Sequence, residues 1–598
     1  MADAFVGGLL VILQWKAFSF MLIGIAVGFW VGLLPGLGGL TTLALMLPFI
    51  YDMTPVEAFA FLLGMHSVTA TTGDITSILF GVPGEGSAAA TVLDGHAMAK
   101  RGEAGRALGA ALMSSLIGAV VGALALAISV PVMRPLVLAF GAPELFMLAI
   151  MGIAFIASLS GQGARGMVRG FLSGLLGLLL ALVGLDPQAA IERFTFGQLY
   201  LWDGIALVPV IVGLFAFPEI VDLAVRGTSI AGEVPQGNLS QGVWEGVKDT
   251  FRYFWLTVRC SLAGTLIGII PGLGGSVAQW IAYGHAAQSV RDPRERSGFG
   301  KGDVRGVLGP GAANNSKEGG SLIPTVAFGI PGSAAMAILL GAFLIQGLRP
   351  GMEMLDKHLT LTFSMVWTMV IANIITVAIS LLFLNQLAKL TTVRGTILIP
   401  FILFLAFIGA YTEHNHIGDL ITLLAAGFFG YLMVRCGWPR APLVLGFVLG
   451  NIAETSFYIS TTRYGLSWLL SPLVLGVIGV PLLLLALTEM ILSALGVERE
   501  REGHAVDFEL TTDVDPAVAQ KRTLGILGWT LGFLALILVI GFPIAVPLFV
   551  FLYLKLVGKE GWVLTLILTA ISWLFMEGLF NRLLHIPFPE GWIFSVLG

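Results

Sequence analysis

Charged side chains are scarce in this chain. Only 11% of its 598 residues are Asp, Glu, Lys or Arg, against about 25% in ordinary soluble domains. So few charges cannot cover the water-facing surface of a soluble protein of this length. Cysteine is scarcer still: Cys260 and Cys436 both lie at or within apolar runs, which excludes a disulfide framework. A net charge of −4 and an isoelectric point near 6.1 leave no basic surface for nucleic acid. A Walker-type phosphate loop is also missing. The segment "GFGKGD" (298–303) has neither its spacing nor a Ser/Thr after the lysine. The opening "MADAFVGGLL" has no basic n-region, so the first helix is expected to be retained.

Apolar residues are what the chain has in abundance, at 57%, with a mean hydropathy of +0.92. Apolar runs recur at 107–131, 136–158, 203–224, 361–384, 466–495 and 561–584, and a spanning helix needs about 20 residues. They lack strand-like alternation, and lipid offers backbone groups no partners. An all-α polytopic membrane protein is expected.

Glycine and proline interrupt these runs in a pattern. "LLPGLGGLTTLALMLPF" (33–49) sets Pro35, Gly36, Leu37, Gly38 and Gly39 inside a leucine-rich stretch. A proline costs about 3 kcal/mol in a helix interior and each glycine roughly 0.5–1 kcal/mol. "IIPGLGGSVAQWIAYGHA" (269–286) repeats the motif, with Pro271 lying 236 residues after Pro35. "ILFGVPGEGSAAATVLDG" (78–95) is echoed by "VAFGIPGSAAMAILLGAF" (326–343), with 248 residues from Pro83 to Pro331. Two motifs recurring in order indicate a duplication, with halves at 1–235 and 236–496. A polar linker (497–522) and a transmembrane appendix (523–598) without a counterpart follow.

Basic residues orient the halves, because Lys and Arg favour the cytoplasmic side. The loop 51–57 has none, whereas its equivalent, 291–305, has five. The loop 98–106 carries Lys100, Arg101 and Arg106, while in 349–357 Glu353 and Asp356 offset Arg349 and Lys357. This opposite bias predicts inverted repeats with broken or re-entrant helices.

Transporters built that way bind anions near the midplane, where half-helix N-termini converge. The expected substrate site comprises Gly36, Leu37, Gly38, Gly39, Thr41, Pro83, Gly84, Ser87, Gly272, Gly274, Gly275, Ser276, Asn314, Asn315, Pro331, Gly332 and Ser333. The alternative is that these residues are kinks, close-packing points and interhelical hydrogen bonds. Asp74 is a carboxylate amid small and apolar residues, either an ion site or the partner of a nearby base. With Thr76, Ser77 and Ser316 it forms the expected ion-coupling group, for sodium or a proton; no other cofactor is expected. Glu85 and Lys317–Glu318 lie beside the breaks with no role assigned. "YTEHNHIGD" (411–419) contains Glu413, His414 and His416, but their spacing favours a short loop over a metal site.

At these motifs the chain resembles the large membrane subunit of the tripartite tricarboxylate transporter family (TctA type). The likeness rests on PGLGG, on "GVPGEGSAAATVLDGHAMAKRGEAGRALGAA" (81–111) and on "NNSKEGGSLIPTVAFGIPGSAAMAILLGA" (314–342). A fourth stretch runs from Ile408 to Glu454, beginning "IGAYTEHNHIGD". The end, "IGFPIAVPLFVFLYLKLVGKEGWVLTLILTAISWLFMEGLFNRLLHIPFPEG" (540–591), resembles the close of that family's small membrane subunit (TctB type), which points to a fusion. The chain departs from the family pattern at Asp74, where the family usually has Ser, at Gly81, often Asn, and at Lys317–Glu318, usually small and uncharged. The resemblance implies uptake of small carboxylates, such as citrate, across a bacterial-type inner membrane. A periplasmic solute-binding protein would deliver them and an ion gradient would drive the step. An ion-coupled transporter needing no binding protein stays open as an alternative. A polytopic enzyme would need a nucleophile–base pair or a metal cluster, and neither is evident in the sequence.

Overall fold

Proline and glycine set most helix boundaries in the computed structural model. It describes residues 1–32, 39–81, 88–159, 163–186, 188–189, 191–226, 242–270, 274–390, 395–476, 514–583, 587–589 and 591–593. The first half runs α1 (Ala2–Ile12), α2 (Trp15–Gly32), α3 (Gly39–Met46), α4 (Pro55–Phe80), α5 (Ala89–Lys100), α6 (Ala104–Leu138), α7 (Ala142–Leu159) and α8 (Gly163–Ala181). A minimal hairpin of β1 (Gly184–Leu185) and β2 (Glu192–Arg193) pairs Gly184 with Arg193 and leads to α9 (Leu207–Arg226).

The second half repeats this succession: α10 (Val243–Arg252), α11 (Phe254–Ile269), α12 (Gly274–Gln288), the single turn α13 (Pro293–Arg296), α14 (Arg305–Phe328) and α15 (Ala334–Ile345). The single turn α16 (Met352–Leu355), α17 (Leu359–Leu390), α18 (Gly395–Tyr411), α19 (Ile417–Arg435) and α20 (Ala441–Tyr464) complete it. Setting aside the two single turns, each half is a short helix, two broken pairs and a helix of 35 or 32 residues, then three more helices.

Three helices form the appendix: α21 (Pro516–Ile540), α22 (Phe542–Leu556) and α23 (Trp562–Leu574). The run beginning at 524 is divided at Gly541, which takes φ +74. Its first helix starts upstream, inside the stretch read as linker. There Asp515 accepts a hydrogen bond from the Ala517 amide at 2.8 Å, and Pro516 sits at the first helical position. The remainder of the linker and of the run 466–495 lies outside the described residues.

Six described helices are long and apolar enough to cross a membrane, or seven if α1 and α2, bent by 69°, count as one span. The only strands among the described residues are those of the hairpin. The protein is therefore an all-α polytopic membrane protein. Its halves pack reciprocally. Helix α2 lies on α4 as α11 lies on α14, and α1 packs on α17 as α10 packs on α6. Likewise α8 meets α20 as α19 meets α9, and α3 meets α15 as α12 meets α5. Glycine makes the within-half contacts possible. A Cβ on Gly28 would lie 2.6 Å from the Met65 carbonyl, and one on Gly268 would lie 2.3 Å from that of Lys317. Lipid supplies no hydrophobic drive between helices, so such close backbone packing carries their association.

Candidate substrate and ion site

Helix α4 begins with a capping box. Thr54 and Glu57 exchange side-chain-to-backbone hydrogen bonds, and Pro55 takes the first turn. The helix ends at Gly81, in the left-handed region at φ +69, and α14 ends the same way at Gly329, φ +67. Each glycine is the first residue of its GxPG motif. Beyond the second break Ser333 caps α15, its Oγ accepting from the Met336 amide at 3.3 Å.

Between these ends α4 and α14 cross through a buried polar layer. Asn315 Nδ2 lies within hydrogen-bonding distance of Thr71 Oγ1 (2.7 Å), Ser115 Oγ (2.8 Å) and Asn373 Oδ1 (2.6 Å), three acceptors for its two protons, which ties α4, α6, α14 and α17 together. Asn314 donates to the Ala70 carbonyl at 2.8 Å and to Asp74 Oδ2 at 3.3 Å. One turn further along α14, Glu318 pairs with Lys317, and its other oxygen lies 3.1 Å from His66 Nε2. All of these side chains are buried.

The contacts run in opposite senses along the two helices: His66 meets Glu318 and Ala70 meets Asn314. A shift of 248 residues carries position 66 to 314 and 70 to 318. The two contacts are therefore images of one another under exchange of the halves.

The structure thus joins Asp74 with Asn314, while Asn315 bonds Thr71 about one turn earlier on α4. Thr76 and Ser77 both donate back to the Gly73 carbonyl at 2.9 Å, a habit of hydroxyls in buried helices. Ser316 donates to the Ala313 carbonyl at 3.3 Å and points at α11, where a Cβ on Gly264 would lie 2.4 Å from its hydroxyl. Thr41 is buried in α3, its hydroxyl without a partner among the described residues. Gly39 opens α3, and Gly274, Gly275 and Ser276 open α12. Next to Pro331, Gly332 is a close-packing point. A Cβ there would lie 2.5 Å from Ser321 Cα and 2.7 Å from the Gly268 carbonyl, which sets the second GxPG break against α11. Gly36, Leu37, Gly38, Pro83, Gly84, Ser87 and Gly272, with Glu85, lie outside the described residues.

Sequence reasoning missed His66, Ser115 and Asn373. A lone histidine in "LLGMHSVTA" carries no local signal, and its partner lies in the other half of the chain.

The loops gather at two ends. At one, Asp94 of α5 is fully buried and accepts from the amides of Gly300 (3.1 Å), Gly302 (2.7 Å) and Asp303 (2.9 Å) and from the Tyr283 hydroxyl (3.0 Å). This binds the basic loop 291–305 to α5, the helix that leads into the basic loop 98–106. At the other end, Gln346 donates to the Ile50 carbonyl at 2.5 Å, beside the loop 51–57 that has no basic residue. The loop Thr412–His416 is a short connection, as read from sequence. Glu413 caps α9 by accepting from the amides of Leu207 (3.0 Å) and Val208 (2.9 Å). Burial pushes its carboxyl above the usual range. His414 lies 3.1 Å from Asp419, and that hydrogen bond holds its imidazole above the usual range.

Residues 18–445 match the model of the Tripartite tricarboxylate transporter TctA family. The chain belongs to this family. Residues 441–589 match the Tripartite tricarboxylate transporter TctB family, so a TctB-like segment is fused behind the TctA part, starting at α20. The TctA and TctB families are membrane subunits of transporters, so the chain is a transporter subunit and not an enzyme. A similar protein from Agrobacterium vitis, described as an uncharacterized 52.8 kDa protein in the TAR-I ttuC' 3' region, is 34% identical over 433 residues, covering 72% of this chain and 84% of its own length. A second from the same organism, an uncharacterized protein in the TAR-II ttuC' 3' region, is 35% identical over 191 residues, covering 32% of this chain and 78% of its own length. No solved structure matches.

Proposed function

We propose that this TctA–TctB fusion imports small carboxylates, citrate-like di- or tricarboxylates, across a bacterial inner membrane. A periplasmic solute-binding protein feeds it and a cation gradient drives it. The observation that carries this reading is the crossing of α4 and α14: two equivalent helices meet in opposite directions at a buried polar layer, and each ends in a glycine before a break. In this reading α4 and α14 both lie across the membrane, and their opposite sense supports an inverted arrangement of the halves. The basic residues at one end and their scarcity at 51–57 agree with it.

The substrate site of this reading lies at the four breaks. This reading expects residues 36–39 and 272–275 to face each other, with the Pro83–Gly84 and Pro331–Gly332 breaks supplying the other two helix starts. A half-helix N-terminus carries roughly half a positive charge, so several of them bind a carboxylate without a buried arginine. Asn314 and Asn315 supply amides nearby. Asp74, a buried carboxylate beside Asn314, is the residue to which this reading assigns the coupling ion.

Uptake of radiolabelled citrate into proteoliposomes tests this, with and without a periplasmic solute-binding protein. Accumulation that needs both the binding protein and an imposed cation gradient supports the proposal. Equal accumulation without the binding protein favours the self-sufficient transporter, and no carboxylate accumulation under any gradient removes the reading.

A further inference from the structure

Helices α5 and α12, of 12 and 15 residues, each follow a break and pack on one another. Both run toward the basic loops, where the Tyr283 hydroxyl and the Gly302 amide meet Asp94. Their starts therefore point the other way, into the protein, and the first amides of each have no partner within their own helix. One turn nearer those starts, Gln279 lies four residues before Tyr283 and Thr91 three before Asp94, on the faces that those two residues share. Gln279 and Thr91 are fully buried, each at 0% exposure. Neither Gln279 Nε2 and Oε1 nor Thr91 Oγ1 has a hydrogen-bond partner among the described residues. Helical side chains lean toward the N-terminus, so these groups tilt toward the breaks. Buried polar groups are nearly always paired, so three unpaired atoms on facing helices point to a ligand.

The other half of the repeat is the control. The 236-residue shift carries 279 to 43, and the 248-residue shift carries 91 to 339. Leu43 and Leu339 stand there, both in the hydrophobic core. Leu47 and Ala342 likewise stand where the second pair has Tyr283 and Asp94. A Cβ on Gly341 would lie 3.5 Å from Leu47 Cδ2, so the start of α15 packs on the chain after α3 as α5 packs on α12. The same packing is thus built from leucine in one half. Packing does not require Gln279 and Thr91 to be polar in the other.

We propose that Gln279 and Thr91 form a subsite for the hydroxyl of a hydroxycarboxylate, between the starts of α5 and α12. The inference rests on the carboxylate-transport reading and narrows its substrate class. Helix starts offer only N–H donors and a positive end, which suit carboxylate oxygens. Gln279 and Thr91 each add an acceptor as well as a donor. An ionised carboxylate has no proton to give those acceptors, whereas a hydroxyl does. It donates to the Gln279 Oε1 and accepts from Nε2 or from the Thr91 hydroxyl. Asp94, one turn beyond, is already held by three amides and Tyr283, and its charge keeps the carboxylates on the side of the helix starts. A substrate without the hydroxyl leaves a buried acceptor unpaired, the kind of loss on which sites discriminate strongly.

The test compares citrate with tricarballylate, which is citrate without its hydroxyl. Both are added as sodium salts to the full chain in lipid nanodiscs, at a pH where each is fully ionised. Apparent affinities come from the rise of the melting midpoint with concentration. The parent should bind citrate at least about tenfold more tightly than tricarballylate. In Gln279→Met, which keeps the length of the side chain, the ratio should fall to near one. Thr91→Val should lower it too, and carries the test if Gln279→Met does not fold. Equal affinities in the parent overturn the proposal, and so does a citrate preference that survives both substitutions. A midpoint that neither acid moves overturns it as well. The measurement needs neither transport nor a binding protein. A hydroxyl preference that depends on Gln279, without uptake under any gradient, keeps the subsite and sinks the import reading. Gradient-driven uptake that treats the two acids alike does the reverse.

Discussion

Gly81 and Gly329, 248 residues apart, end equivalent helices in the same left-handed conformation, at φ +69 and +67. A Cβ at Gly329 would meet only Pro350, at 3.6 Å, whereas one at Gly81 would meet the His96 ring at 2.8 Å. Non-glycine residues pay about 1–2 kcal/mol to enter this region. Gly329→Ala should therefore destabilise by about 1 kcal/mol, and Gly81→Ala by more, since the His96 ring must also move. Thermal unfolding midpoints in detergent compare the two. Equal losses would show that the His96 contact carries no weight.

The topology has a direct readout. In a background lacking Cys260 and Cys436, single cysteines in 98–106 and 291–305 should react with an impermeant reagent only from the cytoplasmic side. Those in 51–57 and 349–357 should react only from outside. Labelling of 51–57 and 291–305 from one side removes the inverted arrangement.

Asp94 fastens the basic loop to α5 through three backbone amides and a tyrosine hydroxyl. Asp94→Ala takes the carboxylate away from these part-buried donors, at a cost of about 1.5–3 kcal/mol for a hydrogen bond to a charged group. The loop should then open first, and trypsin should cut at Lys301 or Arg296 several times faster than in the parent. An unchanged cleavage rate would mean that Tyr283 and Phe299 hold the loop without the carboxylate.

His414 makes one end of the protein pH-sensitive. Its folded pKa is raised, chiefly by its hydrogen bond to Asp419. The stabilisation is fully present below the unfolded pKa of about 6.5 and disappears as pH rises through the folded value. The melting midpoint of the parent should exceed that of His414→Gln at pH 5.5, and the gap should close with rising pH. A gap that widens toward alkaline pH would contradict the assignment.

Much of this architecture is legible in the residues because its signals are local. Pro35 and Pro271, with the PGLGG around them, announce the duplication, and Pro400 or Gly541 show that not every such residue does. Pro400 sits inside α18 without ending it, whereas Gly541 splits a run that hydropathy reads as continuous. The short loop at Glu413–His416 follows from the spacing of its histidines. The buried layer is only half legible. Asp74 stands out by its charge, but His66 is ordinary until Glu318 is brought to 3.1 Å by helices far apart in sequence. Gly332 shows the reverse failure: a glycine beside a break suggests room for a ligand, yet the space is filled by Ser321 and the Gly268 carbonyl.

The central claim is that the four helix breaks form one carboxylate site. A cryo-electron microscopy structure of the full chain with citrate bound tests it most directly. The account predicts density for a carboxylate within hydrogen-bonding distance, about 3 Å, of backbone amides at 36–39 and 272–275, between the two halves. Density for the carboxylate elsewhere, with all four breaks closed by packing as Gly332 is, would contradict it.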